Sequence, residues 1–183
     1  VFTQRVRRPG VDARRMAQTI ARTAKTERRL ERFGCFGTTV AVRAEGPAAA
    51  LLPAVTRARA LAFELHRRLS RFEPSSELSR LNADPRERVP ASAFLRRFAA
   101  EVAPAGERSA GLVDATCLPA VEAAGYRTRW SPGTEFAASA PPEPVAAAWR
   151  AVRVEGGDVV RPPGVRLDSG GLGKGLAADL MAD

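Results

Sequence analysis

The stretch RLDSGGLGKGLAADLMAD, residues 166–183, combines the features that decide how this chain folds. It contains Asp168, a glycine-rich turn with Lys174, and an alanine-rich segment of helical composition. A turn from a strand into a helix leaves the first helical N–H groups unpaired, and the helix dipole adds partial positive charge there. The stretch therefore predicts a strand over 165–167, then a turn that attracts anions, then a helix.

The glycines of this turn indicate a close approach between backbone and ligand. Gly170, Gly171 and Gly173 would allow such an approach or adopt positive φ, and Lys174 would place a full positive charge beside a phosphate. The spacing fits neither a Walker A loop nor a Rossmann fingerprint. A purely structural turn, with Lys174 solvated and Asp168 capping the helix, explains the stretch equally well when it is considered alone.

The rest of the chain reads as an α+β fold of helices and antiparallel strands. A length of 183 residues with 45% hydrophobic content is enough for one buried core. Apolar residues recur at three- and four-residue steps in the helical segments, and β-branched residues mark the strands. The predicted helices are a basic one over 12–33, one over 54–72, one over 91–102 that Pro104 ends, and a short one within 111–126. The predicted strands are one over 37–44, ended by Gly46-Pro47, and a hairpin over 152–160. A turn with a short helical or extended piece is predicted over 71–82, and an exposed connector over 131–144.

The formal net charge of +9 is concentrated at the N-terminus. Residues 1–33 contain ten Arg or Lys and three acidic residues, which gives +7 and leaves +2 for the other 150 residues. The body therefore lacks the overall positive charge of a nucleic-acid-binding domain. We assign residues 1–33 to a basic extension, which would contact an anionic lipid, nucleic acid or acidic partner, or remain solvated, and residues 34–183 to one domain.

The cysteines, the single histidine and the apolar runs indicate no redox, metal or membrane function. Cys35 and Cys117 match neither a disulfide framework nor a zinc-site spacing, so we expect both to be small buried hydrophobes. His66 falls on the charged side of the predicted 54–72 helix and is expected at the surface. No apolar run approaches the ~18 residues of a membrane span, and no secretory signal is readable, so the chain as given is predicted to be cytoplasmic.

Four separated segments together resemble one protein family. They are FGTTVAV (36–42), LSRFEPSSELSRLN (69–82), SAGLVDATCLP (109–119) and RLDSGGLGKGLAAD (166–179). In order and approximate spacing they are similar to the signature segments of the FAD:protein FMN transferases, the ApbE-type flavin transferases. The resemblance covers residues 34–183, excludes the basic extension, and implies an ApbE-like, T-fold-related α+β fold.

The resemblance also implies an activity. ApbE-type enzymes transfer FMN from FAD to a Thr of an acceptor flavoprotein subunit with the help of Mg²⁺, or release FMN and AMP by hydrolysis. FAD and that acceptor are then the expected partners, with no specific nucleic acid, and with membrane contact only through the acceptor or residues 1–33. Some members of the family work at membranes or after export.

The resemblance assigns site residues but no catalytic residue. It implies that Phe72 packs on the isoalloxazine ring and that Asp168 hydrogen-bonds FAD. It also implies that Lys174 contacts the pyrophosphate and that the Gly171 carbonyl is a Mg²⁺ ligand. The implied cofactor-binding residues are Phe36, Phe72, Glu73, Leu112, Val113, Asp114, Asp168 and Lys174. A core position for Phe72, and a turn with only structural hydrogen bonds at Asp114, remain open alternatives.

The family draws its other Mg²⁺ ligands, an Asp and a Thr, from a C-terminal half beyond the last residue of this chain. We therefore expect an incomplete domain with reduced or no transfer activity. Two alternatives remain, namely a non-catalytic or degenerate FAD-binding protein and a basic anion-binding module acting through residues 1–33.

Overall fold

The fold combines five helices and five strands within the residues that the structure describes. A computed structural model describes residues 26–140 and 147–182. In chain order the elements are β1 (Thr26–Cys35), β2 (Thr38–Pro47), α1 (Ala48–Leu69), α2 (Glu77–Ala83), β3 (Arg88–Pro90), α3 (Ala93–Arg108), α4 (Leu118–Ala123), a 3₁₀ turn (Ala148–Ala151), β4 (Arg153–Glu155), β5 (Asp158–Val160) and α5 (Gly173–Ala182). The predicted α+β class with antiparallel strands is confirmed.

Strands β1 and β2 form a long antiparallel hairpin. Its two-residue turn, Phe36-Gly37, has φ values of 54° and 69°. Positive φ at both positions defines the turn whose twist matches that of the flanking strands. The predicted basic helix over 12–33 is wrong at its end, because residues 26–33 belong to β1. Its remaining part lies outside the described residues.

The strand forms at residues 26–35 because alternate side chains can be buried. Phe33 and Cys35 are buried two positions apart and pack with Ala62 of α1, while Arg32 and Gly34 beside Phe33 are exposed. An alternation of this kind has the period of a strand and cannot serve one face of a helix. The expectation of a buried Cys35 is confirmed, whereas Cys117 is only partly buried.

Helix α1 presents one apolar stripe to the core. Its buried residues recur at three- and four-residue steps, as the sequence predicts, and they are Leu51, Val55, Ala58, Ala62, Leu65 and Leu69. The predicted bounds of 54–72 are wrong at both ends, because the helix begins six residues earlier, at Ala48, and Ser70 is already extended, with φ −75° and ψ 119°. Arg71 and Phe72 therefore lie in the turn after the helix.

Helix α3 runs past the proline at which the sequence predicts its end. It begins after Ser92, whose hydroxyl accepts a hydrogen bond from the Leu95 N–H at 3.4 Å, and it continues beyond Pro104 to Arg108. Pro104 removes one backbone hydrogen bond. The helix persists because Ala105 and Gly106 are buried and the ring of Trp149 packs directly against Gly106. Tertiary packing thus overrides the local stop signal.

The second sheet is small and has the order β3–β5–β4, with both pairs antiparallel. The predicted hairpin over 152–160 is confirmed as β4 and β5. The predicted strand over 165–167 is wrong, because the side chain of Asn82 bonds both backbone groups of Leu167 and takes the place of a neighbouring strand. None of the helices in the described residues combines the length and apolar composition needed to cross a lipid bilayer.

One main core joins the helices to the second sheet. Its fully buried members include Leu65, Leu78, Leu81, Phe98, Val102, Val159 and Leu167. Helix α5 contributes Leu176 and packs against α1. This contact brings the glycine-rich turn before α5 close to the C-terminal end of α1. The described part of the predicted connector, residues 131–140, is almost entirely exposed.

Replacing Gly106 with Ala should destabilise the protein even though Ala favours helices. A Cβ at this position would overlap the indole of Trp149, so the helix and the ring would have to separate. Overpacking of this kind costs about 1–3 kcal/mol, and urea titration should show that loss. Gly175→Ala is the matched control, because that helical glycine has open space around its Cβ direction and the change should leave stability equal or slightly higher. Equal stability of both variants would contradict the packing argument.

Candidate functional site

A cavity of about 310 Å³ opens where several connecting segments meet beside the C-terminal end of α1. The β1–β2 turn, the residues after α1, the segment after α4 and the glycine-rich turn all contribute to its wall. The lining residues are Phe36, Gly37, His66, Leu69, Ser70, Arg71, Phe72, Tyr126, Arg129, Trp130, Asp168, Ser169, Gly170, Gly173 and Lys174. Its volume is at the lower end of the range for small-molecule sites.

Three separate elements hold the segment before α5 in place. The Asn82 amide donates to the Leu167 carbonyl and accepts from the Leu167 N–H, both at 2.8 Å. The Asp168 N–H donates to the Ala115 carbonyl at 2.7 Å, and the Ser169 hydroxyl donates to the Leu69 carbonyl at 2.6 Å. Helices α1 and α2 and the loop before α4 therefore fix the start of the turn.

The glycine-rich turn packs closely without unusual backbone angles. None of Gly170, Gly171 and Gly173 has positive φ, so that part of the expectation is wrong. A Cβ at Gly170 would lie 3.0 Å from an oxygen of the Asp168 carboxylate, and one at Gly173 would lie 3.2 Å from Cβ of Ser169. These glycines are therefore needed for close packing of the turn upon itself. Helix α5 begins at Gly173, and the exposed Lys174 follows in its first turn.

Arg71 is the most enclosed charged group of the cavity wall. Its side chain is only 5% exposed, and its Nε lies 3.3 Å from Oδ1 of Asp168. Its guanidinium also donates to the Tyr126 carbonyl at 2.7 Å and lies over the rings of Phe72 and Tyr126, at 4.1 and 4.6 Å from their centroids. The Asp168 carboxylate thus pairs with Arg71, and Phe72 lines the cavity with one ring face already covered.

The β1–β2 turn brings an aromatic side chain to the opening. Phe36 has φ 54°, an uncommon backbone conformation for a bulky residue, and its ring meets the His66 imidazole edge-on at 5.4 Å. His66 is half-buried and lines the cavity, which differs from its expected surface position. Burial lowers the pKa of His66, the positive charge of Arg129 lowers it further, and Glu73 opposes the shift. The imidazole is therefore held mainly neutral near pH 7.

Four of the residues implied by the resemblance line the same cavity, namely Phe36, Phe72, Asp168 and Lys174. The other implied residues lie outside its wall. Leu112 is 91% exposed, and Asp114 accepts hydrogen bonds from the N–H and hydroxyl of Thr116 at 2.7 and 2.5 Å. Asp114 therefore makes the local turn contacts that its structural alternative predicts.

Of the implied residues outside the cavity wall, Val113 and Gly171 adjoin each other, and the charge of Glu73 acts on His66. Val113 reaches within 3.7 Å of a Cβ position at Gly171, so the loop before α4 contacts the back of the glycine-rich turn. Glu73 accepts a hydrogen bond from the Ser75 hydroxyl at 2.9 Å and affects the pKa of His66 by its charge.

The described residues do not by themselves fit a Mg²⁺ site. Mg²⁺ requires six oxygen ligands in a near-ideal octahedron, usually with carboxylates among them. No group of three or more His, Cys, Asp or Glu side chains within residues 26–140 and 147–182 could hold a metal ion. Gly171 is exposed and offers a single neutral carbonyl. No chemical step is therefore assigned to a metal here.

The sequence model of the ApbE family matches residues 36–183, and the chain belongs to that family. Similar solved structures include the flavin transferase ApbE from Vibrio cholerae, with 21% identity and a TM-score of 0.65 over 86% of this chain and 53% of that one. An ApbE protein from Thermotoga maritima gives 18% identity and a TM-score of 0.68, with coverages of 85% and 51%. The apo flavinyl transferase ApbE of Pseudomonas stutzeri gives 22% and 0.65, with coverages of 85% and 51%.

These comparisons confirm the predicted family and fold. At such identities the structural likeness establishes the fold alone, and the chain spans about half the length of the structures that it matches. No match to this chain was found among curated protein sequences.

Several cavity residues were missed by sequence reasoning. Arg71, Tyr126, Arg129 and Trp130 line the wall, and Asn82 positions it. Arg71 and Asn82 belong to the 69–82 segment that resembles the family, and that membership alone could have indicated that they lie near the site. The sequence GYRTRW after α4 offers aromatic and basic residues together, but nothing local shows that it folds back to the glycine-rich turn.

His66 should make stability depend on pH in a defined direction. Its folded-state pKa lies below the ordinary value of 6.5, so the unfolded chain binds more protons between the two values. The contribution of His66 to the free energy of unfolding should therefore be fully present above about pH 7 and be lost as pH drops through 6.5 toward the folded pKa. NMR titration of this histidine, the only one in the chain, should give a midpoint below 6.5. In His66→Gln the fall between about pH 7 and 5.5 should be smaller, and an unshifted midpoint would contradict the burial of the ring.

Asn82→Ala should weaken the attachment of the glycine-rich turn. The change leaves the N–H and carbonyl of the buried Leu167 without their partner, which costs about 1–3 kcal/mol in the free energy of unfolding. Chemical denaturation measures the loss. Arg80→Ala, on the exposed side of the same helix, should change stability by less than about 0.5 kcal/mol. Similar small effects from both variants would show that the Asn82 contacts are dispensable.

Proposed function

We propose that this chain carries the FAD-binding elements of an ApbE-type flavin transferase. The observation that carries the proposal is the convergence of Phe36, Phe72, Asp168 and Lys174, from three distant segments, on one cavity. Membership of the ApbE family supports it, as do the structural neighbours described as flavin transferases from Vibrio cholerae and Pseudomonas stutzeri.

The charges around the cavity suit a dinucleotide with linked phosphates. Asp168 is paired with Arg71, so its negative charge is largely offset. Lys174 and Arg129 are exposed on the wall, and Lys174 lies in the first turn of α5, where the helix dipole favours anions. Under this proposal Lys174 contacts the pyrophosphate, Asp168 accepts hydrogen bonds from FAD, and Phe36 and Phe72 contact the isoalloxazine ring.

The proposed reaction moves the FMN phosphoryl group to an acceptor. The hydroxyl oxygen of an acceptor Thr attacks the phosphorus on the FMN side of the pyrophosphate, the P–O bond to AMP breaks, and AMP leaves with the bridging oxygen while the hydroxyl proton is released to solvent. Water in place of Thr gives FMN and AMP. Mg²⁺ would neutralise charge at the phosphates, and the Gly171 carbonyl would be one of its ligands. Because the described residues contain no group of side chains that could hold the ion, no step of the reaction is attributed to it.

Lys174→Ala should weaken FAD binding about threefold to tenfold, the range expected for loss of one exposed charge-assisted contact. Calorimetric titration of the full chain with FAD measures the change. Arg57→Ala removes the same charge from an exposed position of α1 outside the cavity and should leave the affinity as it is. Equal affinities for the parent and the Lys174→Ala variant would overturn the role of Lys174.

AMP release distinguishes transfer from binding alone. A flavin transferase should release AMP from FAD with Mg²⁺ and a Thr-containing acceptor, and the acceptor should gain covalent flavin. Saturable FAD binding with AMP release equal to a protein-free control would support the alternative, a non-catalytic FAD-binding protein. Failure of the full chain to bind FAD would overturn the proposed function.

A further inference from the structure

The cavity contains an aromatic side chain that the resemblance does not use. Trp130 lines the wall, yet its side chain remains 58% exposed. The other tryptophan of the chain, Trp149, is buried in the core with 3% exposure. A large flat ring that is more than half exposed at the edge of a ligand-sized cavity offers a stacking surface.

The remaining aromatic residues of the cavity already have partners. The Arg71 guanidinium lies over the rings of Phe72 and Tyr126, and these two rings also meet edge-on at 5.4 Å. Phe36 makes its edge-on contact with His66. Within the described residues, the aromatic and cation–π pairs do not include Trp130. It is exposed, whereas the other aromatic residues of the wall, Phe36, Phe72 and Tyr126, are half-buried.

The loop that carries Trp130 is built by contacts that do not involve the indole. The Ser139 N–H donates to the Ala123 carbonyl at 2.6 Å, and the Arg127 guanidinium donates to the Glu122 carbonyl at 2.9 Å and the Ser139 hydroxyl at 3.1 Å. These contacts close the loop at its base.

A second set of contacts holds the middle of the loop. The Phe136 ring meets Tyr126 edge-on at 5.7 Å. The Cβ and backbone of Phe136 pack against Gly125, whose φ of +97° suits glycine. Because the loop has its own supports, a change at Trp130 should leave it folded.

The neighbouring charge matches the same ligand. Arg129 lines the cavity next to Trp130, and its charge lowers the pKa of His66, which lines the same cavity. Stacking on an indole needs a planar ring, and a guanidinium favours an anionic group close to it. A nucleotide supplies both.

We infer that Trp130 is a ring-stacking residue of the ligand site, which contacts one of the two planar ring systems of a flavin dinucleotide. The inference rests on the proposed function and adds a specificity-determining residue to it. Stacking of a base on an aromatic side chain predicts about tenfold or greater loss of affinity when the ring is removed.

The test compares three ligands and three variants of the full chain by calorimetric titration. The ligands are FAD, FMN and ADP, and the variants are Trp130→Ala, Trp130→Phe and the control Leu52→Ala. Leu52 is 53% exposed on α1 and lies outside the cavity wall, so its truncation should change no affinity. Trp130→Ala should weaken FAD about tenfold or more, and Trp130→Phe should recover part of that loss.

The ligand pattern identifies the ring and separates the two proposals. Weaker FMN with unchanged ADP assigns the isoalloxazine to Trp130, and weaker ADP with unchanged FMN assigns the adenine. A uniform loss for all three ligands that Trp130→Phe does not relieve would indicate damage to the loop and overturn the inference. Unchanged FAD affinity in Trp130→Ala would also overturn it while the proposed function stands. If the parent chain binds none of the three, both proposals fail.

Discussion

The pairing of the Asn82 amide with both backbone groups of Leu167 is the contact on which the rest of the site depends. It joins helix α2 to a segment 85 residues later in the chain. An amide side chain presents the same donor and acceptor as a peptide group, so one residue supplies the two hydrogen bonds that a neighbouring strand would otherwise provide. The backbone is then free to turn directly after Leu167, and Asp168 enters the cavity wall instead of continuing a sheet.

This anchor also determines the electrostatics of the cavity. With Leu167 fixed, the Asp168 carboxylate reaches Arg71, which is enclosed by Phe72 and Tyr126. A buried guanidinium without a carboxylate would be costly, and a free carboxylate would repel phosphate. Because each group offsets the other, the charges left exposed on the wall are those of Lys174 and Arg129. The interior pair is therefore consistent with an anionic ligand at the surface.

The sequence predicted what local patterns determine and missed what depends on distant contacts. Helix α1 and the β4–β5 hairpin follow from periodicity and turn residues, and the glycine-rich turn is where the resemblance places it. Pro104 did not end α3, because Trp149 packs on Gly106 from 43 positions further along the chain. The segment 165–167 is not a strand, because Asn82 replaces the partner. For the site, the resemblance supplied Phe36, Phe72, Asp168 and Lys174, whereas Arg129 and Trp130 become visible only when the loop after α4 is seen beside the glycine-rich turn.

Arg129 and Trp130 could not be predicted as site residues because they lie in a connecting segment and not in a helix or strand of the core. Helices α1 and α3 and the second sheet build the core, and the cavity residues come mostly from turns at its edge. Each turn has a local feature of its own. The β1–β2 turn has positive φ at Phe36 and Gly37, the glycine-rich turn has the hydrogen bond from the Ser169 hydroxyl to the Leu69 carbonyl, and the loop after α4 has Gly125 packed against Phe136. Turns supported in this way can change their exposed side chains without disturbing the core. Phe36 therefore meets two constraints, since it lines the cavity and also forms the β1–β2 turn, whereas Trp130 takes no part in the contacts that hold its loop.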